Sequence, residues 1–136
     1  MNVREQEDLI RTALRAVNAG DIEAIVAMTG PEAEYEMVGG FADLVGQPVL
    51  KGPEGVRRFY TDWFETFETT HVEPTHFLPA RDGRLLVLSD VDVTTRESDT
   101  PVRLCIGQIF TFADGAIRRV ESYYDPDAAR TAAGLS

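Results

Sequence analysis

Residues 102–124 read VRLCIGQIFTFADGAIRRVESYY, and this stretch decides the class of fold. Apolar and polar residues alternate on both sides of the Asp114-Gly115 pair, which is the pattern of two half-buried strands. An Asp-Gly pair between alternating runs favours a tight type I′ turn, because both central positions of that turn require a positive φ. The stretch therefore predicts an antiparallel β-hairpin.

The same alternation begins near residue 71 and predicts two earlier strands, near 71–79 and 85–96, with Asp82-Gly83 as the turn between them. A further half-buried strand is predicted at 33–38, where apolar and acidic residues alternate. The glycine-rich residues 39–52 that follow predict a loop that could contain a short strand and act as a functional cover. A short helix over 127–133 is predicted at the end of the chain.

Three helices are predicted in the first half of the chain, where apolar residues recur at steps of three and four. Gly20 suits the end of the first helix and Asp21 the N-cap of the second. The third helix carries an aromatic stripe that we interpret mainly as core, although Trp63 could border a cavity. Helices followed by antiparallel strands indicate an α+β domain with helices on one face of a bent sheet. The stripe consists of Val56, Phe59, Tyr60, Trp63, Phe64 and Phe67.

Composition indicates a single cytoplasmic domain over residues 1–136. The formal net charge of −10 argues against nucleic acid and anionic membranes as partners, because phosphate binding needs clustered Lys and Arg. No apolar run approaches the roughly 20 residues of a membrane span, and no secretory signal is visible. The one cysteine, Cys105, cannot form an internal disulfide, which suits a reducing compartment.

Two acidic residues stand out on the predicted strand 85–95. Leu86, Leu88, Asp90 and Asp92 alternate with their neighbours, so we expect the four to share one face. Two carboxylates two residues apart raise each other's pKa when that face is enclosed. On a face open to water, the same two carboxylates would only be solvated surface residues.

Other polar residues also fall on largely apolar strand faces. His76 shares its predicted face with apolar neighbours, Gln108 is the only polar residue of its face, and Tyr35, Ser122 and Tyr124 occupy similar positions. Each alone could be a hydrogen-bonded core residue, but a carboxylate, an imidazole and a phenol around an apolar hollow suit proton transfer. The candidate catalytic residues are Asp92, His76, Tyr35 and Asp90, and the candidate substrate-binding residues are Trp63, Gln108, Ser122, Tyr124, Leu88, Leu104 and Ile106.

Motifs for nucleotides, metals and covalent catalysis are missing from the sequence. There is no Gly-x-Gly-x-x-Gly after a strand, no P-loop, no Gly-x-Ser-x-Gly and no Cys-x-x-Cys. His71 and His76 are five residues apart on a predicted strand, so they point to opposite faces and make a poor metal pair. We therefore expect no cofactor and no metal.

Three segments carry a resemblance to a known family: residues 18–25 (NAGDIEAI), residues 52–59 (GPEGVRRF) with Trp63, and residues 108–125. The chain resembles the nuclear-transport-factor-2-like superfamily, in its SnoaL-like (polyketide-cyclase-like) branch. The resemblance implies three helices packed on a strongly curved mixed β-sheet, a cystatin-like α+β roll that forms a cone around an apolar pocket. It also implies a homodimer through the outer face of the sheet, using residues such as Val91, Val93 and Ile109.

Members of this family include cyclases, isomerases, dehydratases and epoxide hydrolases, beside pocket proteins without catalysis, and most need no cofactor. In comparison with limonene epoxide hydrolase-like proteins, Asp92 and Tyr35 match, but Asp90 replaces an arginine and Ser122 replaces the second acid. Epoxide hydrolysis is therefore the less favoured reaction. The Tyr/His/Asp set of the family's dehydratases is approximated by Tyr35, His76 and Asp92.

These observations favour a cofactor-independent enzyme that acts on a small apolar metabolite, polyketide- or terpenoid-like, by cyclase, isomerase or dehydratase chemistry. Asp92 or His76 would abstract a proton, Tyr35 would hydrogen-bond the developing oxyanion, and Asp90 would raise the pKa of Asp92. The main alternative is a non-catalytic small-molecule-binding or dimerisation module of the same fold. A partner-binding adaptor is a weaker alternative.

Overall fold

The computed structural model of the protein describes residues 1–38 and 49–135, with three helices in the first half of the chain. Most of the predicted glycine-rich loop, residues 39–48, lies outside the described residues, and the end of that loop is a short strand. The helices are α1 (Val3–Ala19), α2 (Ile22–Ala27), α3 (Gly52–Thr66) and α4 (Pro126–Ala132). The strands are β1 (Thr29–Val38), β2 (Val49–Lys51), β3 (Phe67–Pro79), β4 (Leu85–Thr95), β5 (Pro101–Ala113) and β6 (Ala116–Tyr123).

The boundaries of the first two helices follow from their capping residues. The Asn2 side chain accepts a hydrogen bond from the Glu5 backbone at 2.8 Å, and the Glu5 carboxylate accepts one from the Asn2 backbone. Helix α1 ends at Gly20, which has a φ of 69°. Asp21 then begins α2 by accepting a hydrogen bond from the Ala24 backbone at 3.1 Å. The predicted stop and restart is therefore confirmed.

Within the described residues, six strands form one curved mixed sheet in the order β2-β1-β6-β5-β4-β3. Strands β1 and β6 are parallel, and all other neighbours are antiparallel. The turn before β6 has φ values of 53° at Asp114 and 76° at Gly115, and the turn before β4 has 61° at Asp82 and 73° at Gly83. Both predicted Asp-Gly turns are confirmed, and so is the α+β class.

The first three helices cover one face of the sheet, called the inner face, and the main core lies between them. Ile10 of α1 and Val56 of α3 are fully buried there, as are Leu85 of β4 and Ile117 of β6. Burying an aliphatic side chain of this size stabilises the fold by about 1.5–3 kcal/mol. This layer therefore stabilises the fold mainly through apolar packing. The packing holds α1 and α3 over the centre of the sheet.

Helix α4 packs on the opposite, outer face and buries a smaller apolar cluster there. Leu86, Leu88 and Ile109 contact Ala129 and Ala133 of the helix and its end. Elsewhere the outer face is charged, with Arg119 paired to Glu34, Glu36 and Glu121. Strand β4 is thus buried on both faces along its first half, Leu85–Ser89.

The residues expected to form a dimer interface are not exposed on the outer face. Val91 and Val93 lie on the inner face within the main core, and Ile109 lies beneath α4. The predicted placement of Val91 and Val93 on the outer face is therefore wrong, because the side chains of β4 point in the opposite directions from those predicted. Ile109 does lie on the outer face, but α4 covers it there.

Candidate functional site

A cavity of about 70 Å³ lies between α1, α3 and the inner face of the sheet. A water molecule needs roughly 10–15 Å³ of such space, so the cavity has room for a small molecule. Most of its wall is apolar, as is usual for small-molecule sites. The lining residues are Leu14, Val17, Tyr35, Met37, Phe59, Tyr60, Trp63, Thr70, Val72, Val91, Leu104, Ile106, Gln108 and Ser122.

One wall of the pocket is built by aromatic rings of α3. Phe59 and Trp63 are one helical turn apart, with ring centroids separated by 5.7 Å, and Tyr60 stands edge-on to Phe59 at 4.9 Å. Trp63 also packs on Phe67 at 4.5 Å, at the point where α3 passes directly into β3. The predicted aromatic stripe is therefore core at its edges and cavity wall at its centre.

Two hydrogen-bonded pairs of neutral side chains interrupt the apolar lining. The Trp63 Nε1–H donates to Thr70 Oγ1 at 3.0 Å, which fixes the indole against the start of β3. The Gln108 Nε2–H donates to Ser122 Oγ at 3.0 Å, between directly paired positions of β5 and β6. Ser122 is 2% exposed, so its hydroxyl is available only to a neighbour or to a molecule inside the cavity.

Two tyrosines contribute the remaining polar groups of the pocket. Burial raises the pKa of Tyr35, and a hydrogen bond with Thr29 offsets part of that rise. Burial also raises the pKa of Tyr60, and the nearby Tyr35 hydroxyl adds to the effect. Both phenols therefore stay protonated at neutral pH, and each can donate a hydrogen bond to a bound molecule.

The two aspartates predicted to project into the pocket do not reach it. Asp90 and Asp92 lie on the outer face, where Arg103 Nη2 is 3.4 Å from Asp90 Oδ2 and Arg103 Nε is 3.7 Å from Asp92 Oδ1. The Asp92 side chain is 51% exposed. The Cys105 thiol donates to Asp90 at 3.3 Å. The predicted placement of both carboxylates is wrong, and they form an exposed ion-pair cluster.

The alternation along β4 is misleading because helices cover both faces of this strand. Leu86 and Leu88, assigned to the inner face, pack beneath α4 instead. The register of the hairpin contains the missing signal, since Asp92 pairs with Arg103 and Asp90 with Cys105. Directly paired residues share a face, so placing Leu104 and Ile106 inside requires the two aspartates to be outside.

His76 is likewise outside the pocket. An extra residue, Thr75, interrupts the pairing of β3 with β4 between Pro74 and His76. The bulge reverses the alternation, so Phe77 packs into the core and His76 is exposed on the other face. Its Nδ1 is 3.0 Å from Thr75 Oγ1. The prediction that His76 faces the hollow is wrong for this reason.

Of the eight remaining predicted site residues, two lie outside the lining of the cavity and six belong to it. Leu88 lies in the outer cluster, and Tyr124, 38% exposed, follows the end of β6 and is not part of the lining. Tyr60 and Thr70 line the pocket but were missed as polar site residues, although the helical spacing of Tyr60 with Trp63 could have indicated it. The structure does bring together in the lining Tyr35, Trp63, Leu104, Ile106, Gln108 and Ser122.

The chemistry available inside the pocket is that of neutral hydrogen-bonding groups. Among the lining residues that the structure describes, there is no carboxylate, imidazole, thiol or cation. Over residues 1–38 and 49–135, no cluster of three or more His, Cys, Asp or Glu could hold a metal ion. No helix in the same residues is long and apolar enough to cross a membrane.

The fold and site together define an α+β roll with a mainly apolar pocket between its helices and its sheet. The model of the SnoaL-like domain family matches residues 10–120, and the chain belongs to this family. No curated protein matches the chain.

Solved structures of similar fold have low sequence identity to the chain. TerC, co-crystallized with polyporic acid, is 22% identical with a TM-score of 0.77, covering 93% of this chain and 96% of that one. SalBIII, an epoxide hydrolase/cyclase-like enzyme in pyran ring formation of the polyether salinomycin, is 24% identical with a TM-score of 0.75, covering 90% and 92%. An NTF2-like protein from Burkholderia pseudomallei is 17% identical with a TM-score of 0.78, covering 98% of each chain. These similarities concern the fold.

Proposed function

We propose that the protein binds a small, mostly apolar metabolite in the pocket between α1, α3 and the inner face of the sheet. The observation that carries the proposal is the cavity itself: residues from two helices and five strands line it, and its polar groups are few and neutral. Burial of apolar ligand surface would supply most of the affinity. Because the lining has no acid or base among the described residues, this proposal corresponds to the non-catalytic small-molecule-binding module that the sequence left as the main alternative.

Trp63 offers a direct test, because it is the only tryptophan of the chain and it lines the cavity. Titration with a panel of small cyclic hydrocarbons and ketones should give a saturable change in tryptophan fluorescence. Leu104→Phe should abolish that change, since the larger ring fills the cavity. The matched control is Val102→Phe, on the same strand but 37% exposed, which should bind normally. A flat titration of the wild type, or normal binding by Leu104→Phe, would contradict the proposal.

A second candidate is catalysis of the cyclase or isomerase type on a polyketide- or terpenoid-like molecule. What favours it is the presence of two protonated phenols, Tyr35 and Tyr60, in one mainly apolar pocket. Such donors stabilise negative charge that develops on a carbonyl oxygen, and the effect is large where water is excluded. SalBIII, which shares the fold, is described as an epoxide hydrolase/cyclase-like enzyme. In this candidate the tyrosines replace the outer-face Asp92 and His76 as the functional groups.

A further inference from the structure

We infer the class of ligand that the pocket selects: an uncharged molecule with one carbonyl or hydroxyl group, read by Gln108 and Ser122. This inference rests on the proposed binding function and adds to it the chemistry of the ligand's polar group. Gln108 and Ser122 face each other across β5 and β6, and both line the cavity.

The pair has hydrogen-bonding capacity left over. Ser122 Oγ accepts from Gln108 Nε2, and no side chain or backbone group of the described residues accepts the Ser122 hydroxyl proton or donates to Gln108 Oε1. A serine hydroxyl can donate one hydrogen bond while accepting another, and an amide oxygen can accept two. The unused donor and acceptor therefore belong to neighbouring side chains of one wall.

The pair can also reverse its direction. If the Gln108 amide rotates by half a turn, Oε1 accepts from the Ser122 hydroxyl and Nε2 is presented in its place. A ligand carbonyl would take the free donor in either arrangement, whereas a ligand hydroxyl could use the donor and the acceptor together. Among the other polar groups, Trp63 is bonded to Thr70 and Tyr35 to Thr29, whereas the Tyr60 hydroxyl is a further donor that α3, not the sheet, supplies.

The same lining discriminates against charged ligands. It contains no Arg, Lys or His and no carboxylate among the described residues, and the nearby Arg103 is directed to the outer face by Asp90 and Asp92. A buried charge without a partner loses its hydration free energy, and interactions with an uncharged lining replace little of it. An anion or cation of the same size as a neutral ligand should therefore be excluded.

Three probes of similar size separate these effects: cyclohexanone, methylenecyclohexane and cyclohexanecarboxylate, each titrated against Trp63 fluorescence. We expect cyclohexanone to bind more tightly than methylenecyclohexane, and cyclohexanecarboxylate to bind at least roughly 100-fold more weakly than cyclohexanone. Gln108→Met and Ser122→Ala should each weaken cyclohexanone binding roughly 3- to 10-fold and leave methylenecyclohexane binding unchanged. The second variant retains a test should the first fail to fold.

Ser89→Ala is the matched control. Ser89 is 2% exposed like Ser122, but it lies outside the lining and its hydroxyl has no partner in the described residues. Its removal should leave all three affinities unchanged. Cyclohexanone affinity that is insensitive to both variants, with or without a preference over methylenecyclohexane, would overturn the inference while the binding function stands. Tight binding of the carboxylate would also overturn it, and a failure of every probe and of the wider panel would overturn both.

Discussion

Single residues decide what the pocket can do, and the important ones are neutral. Tyr35, Tyr60, Gln108 and Ser122 supply hydrogen bonds, whereas the ionisable residues Asp90 and Asp92 lie on the outer face. Exposed ion pairs such as that of Asp92 with Arg103 typically contribute about 0–1 kcal/mol to stability. The acidic pair is therefore expected to affect neither the fold nor the ligand.

Asp92→Asn tests this directly. We expect the variant to bind the panel compounds with unchanged affinity in the Trp63 fluorescence titration, because the side chain lies on the other side of the sheet from the cavity. The free energy of unfolding in urea should change by less than about 1 kcal/mol. Loss of binding in a variant that remains folded would indicate that Asp92 takes part in the binding site, and it would contradict the position of this residue on the outer face.

At the level of elements, local signals predicted the helix boundaries and turns well. Which residues of a strand face the inner side of the sheet depended instead on tertiary contacts. Gly20, Asp21 and the two Asp-Gly turns act through their own backbone preferences, so the sequence around them suffices. The phase of β4 could not be read from alternation, because α4 makes its outer face as apolar as its inner face. The bulge at Thr75 depends on the pairing with β4, so the alternation along β3 alone misplaced His76.

The packing of α4 on the sheet depends on a glycine. A Cβ added at Gly107 would lie 2.4 Å from the Ala129 Cβ, too close for any real contact. Gly107→Ala should therefore displace α4 and lower the free energy of unfolding by about 1–3 kcal/mol in urea denaturation.

Gly55→Ala provides the comparison for that variant. Gly55 lies in α3, and its added Cβ would meet the backbone carbon of Leu50 in β2 at an ordinary 3.4 Å. We expect this variant to be as stable as the wild type or more stable by up to about 1 kcal/mol, since alanine favours a helix. Equal stability of Gly107→Ala and the wild type would show that α4 is not held tightly against β5.

At the scale of the whole molecule, membership of the SnoaL-like family fixes the architecture but not the chemistry. TerC, SalBIII and the Burkholderia protein are all less than 25% identical to the chain, so the ligand must be argued from this chain's own lining. About half of the expected site residues reach that lining, from β1, α3, β5 and β6, while those of β3 and β4 do not. The homodimer expected from the family stays a prediction, without the interface residues first assigned to it.

The central claim is that the hollow beneath α1 and α3 is a ligand site. A crystal structure of the protein soaked with cyclohexanone tests it most directly. The account predicts density for the ring in contact with Trp63 and Leu104, with the ketone oxygen within hydrogen-bond distance of Ser122 or Gln108. Density for the ketone only on the outer face, or a hollow filled by the protein's own side chains, would contradict it.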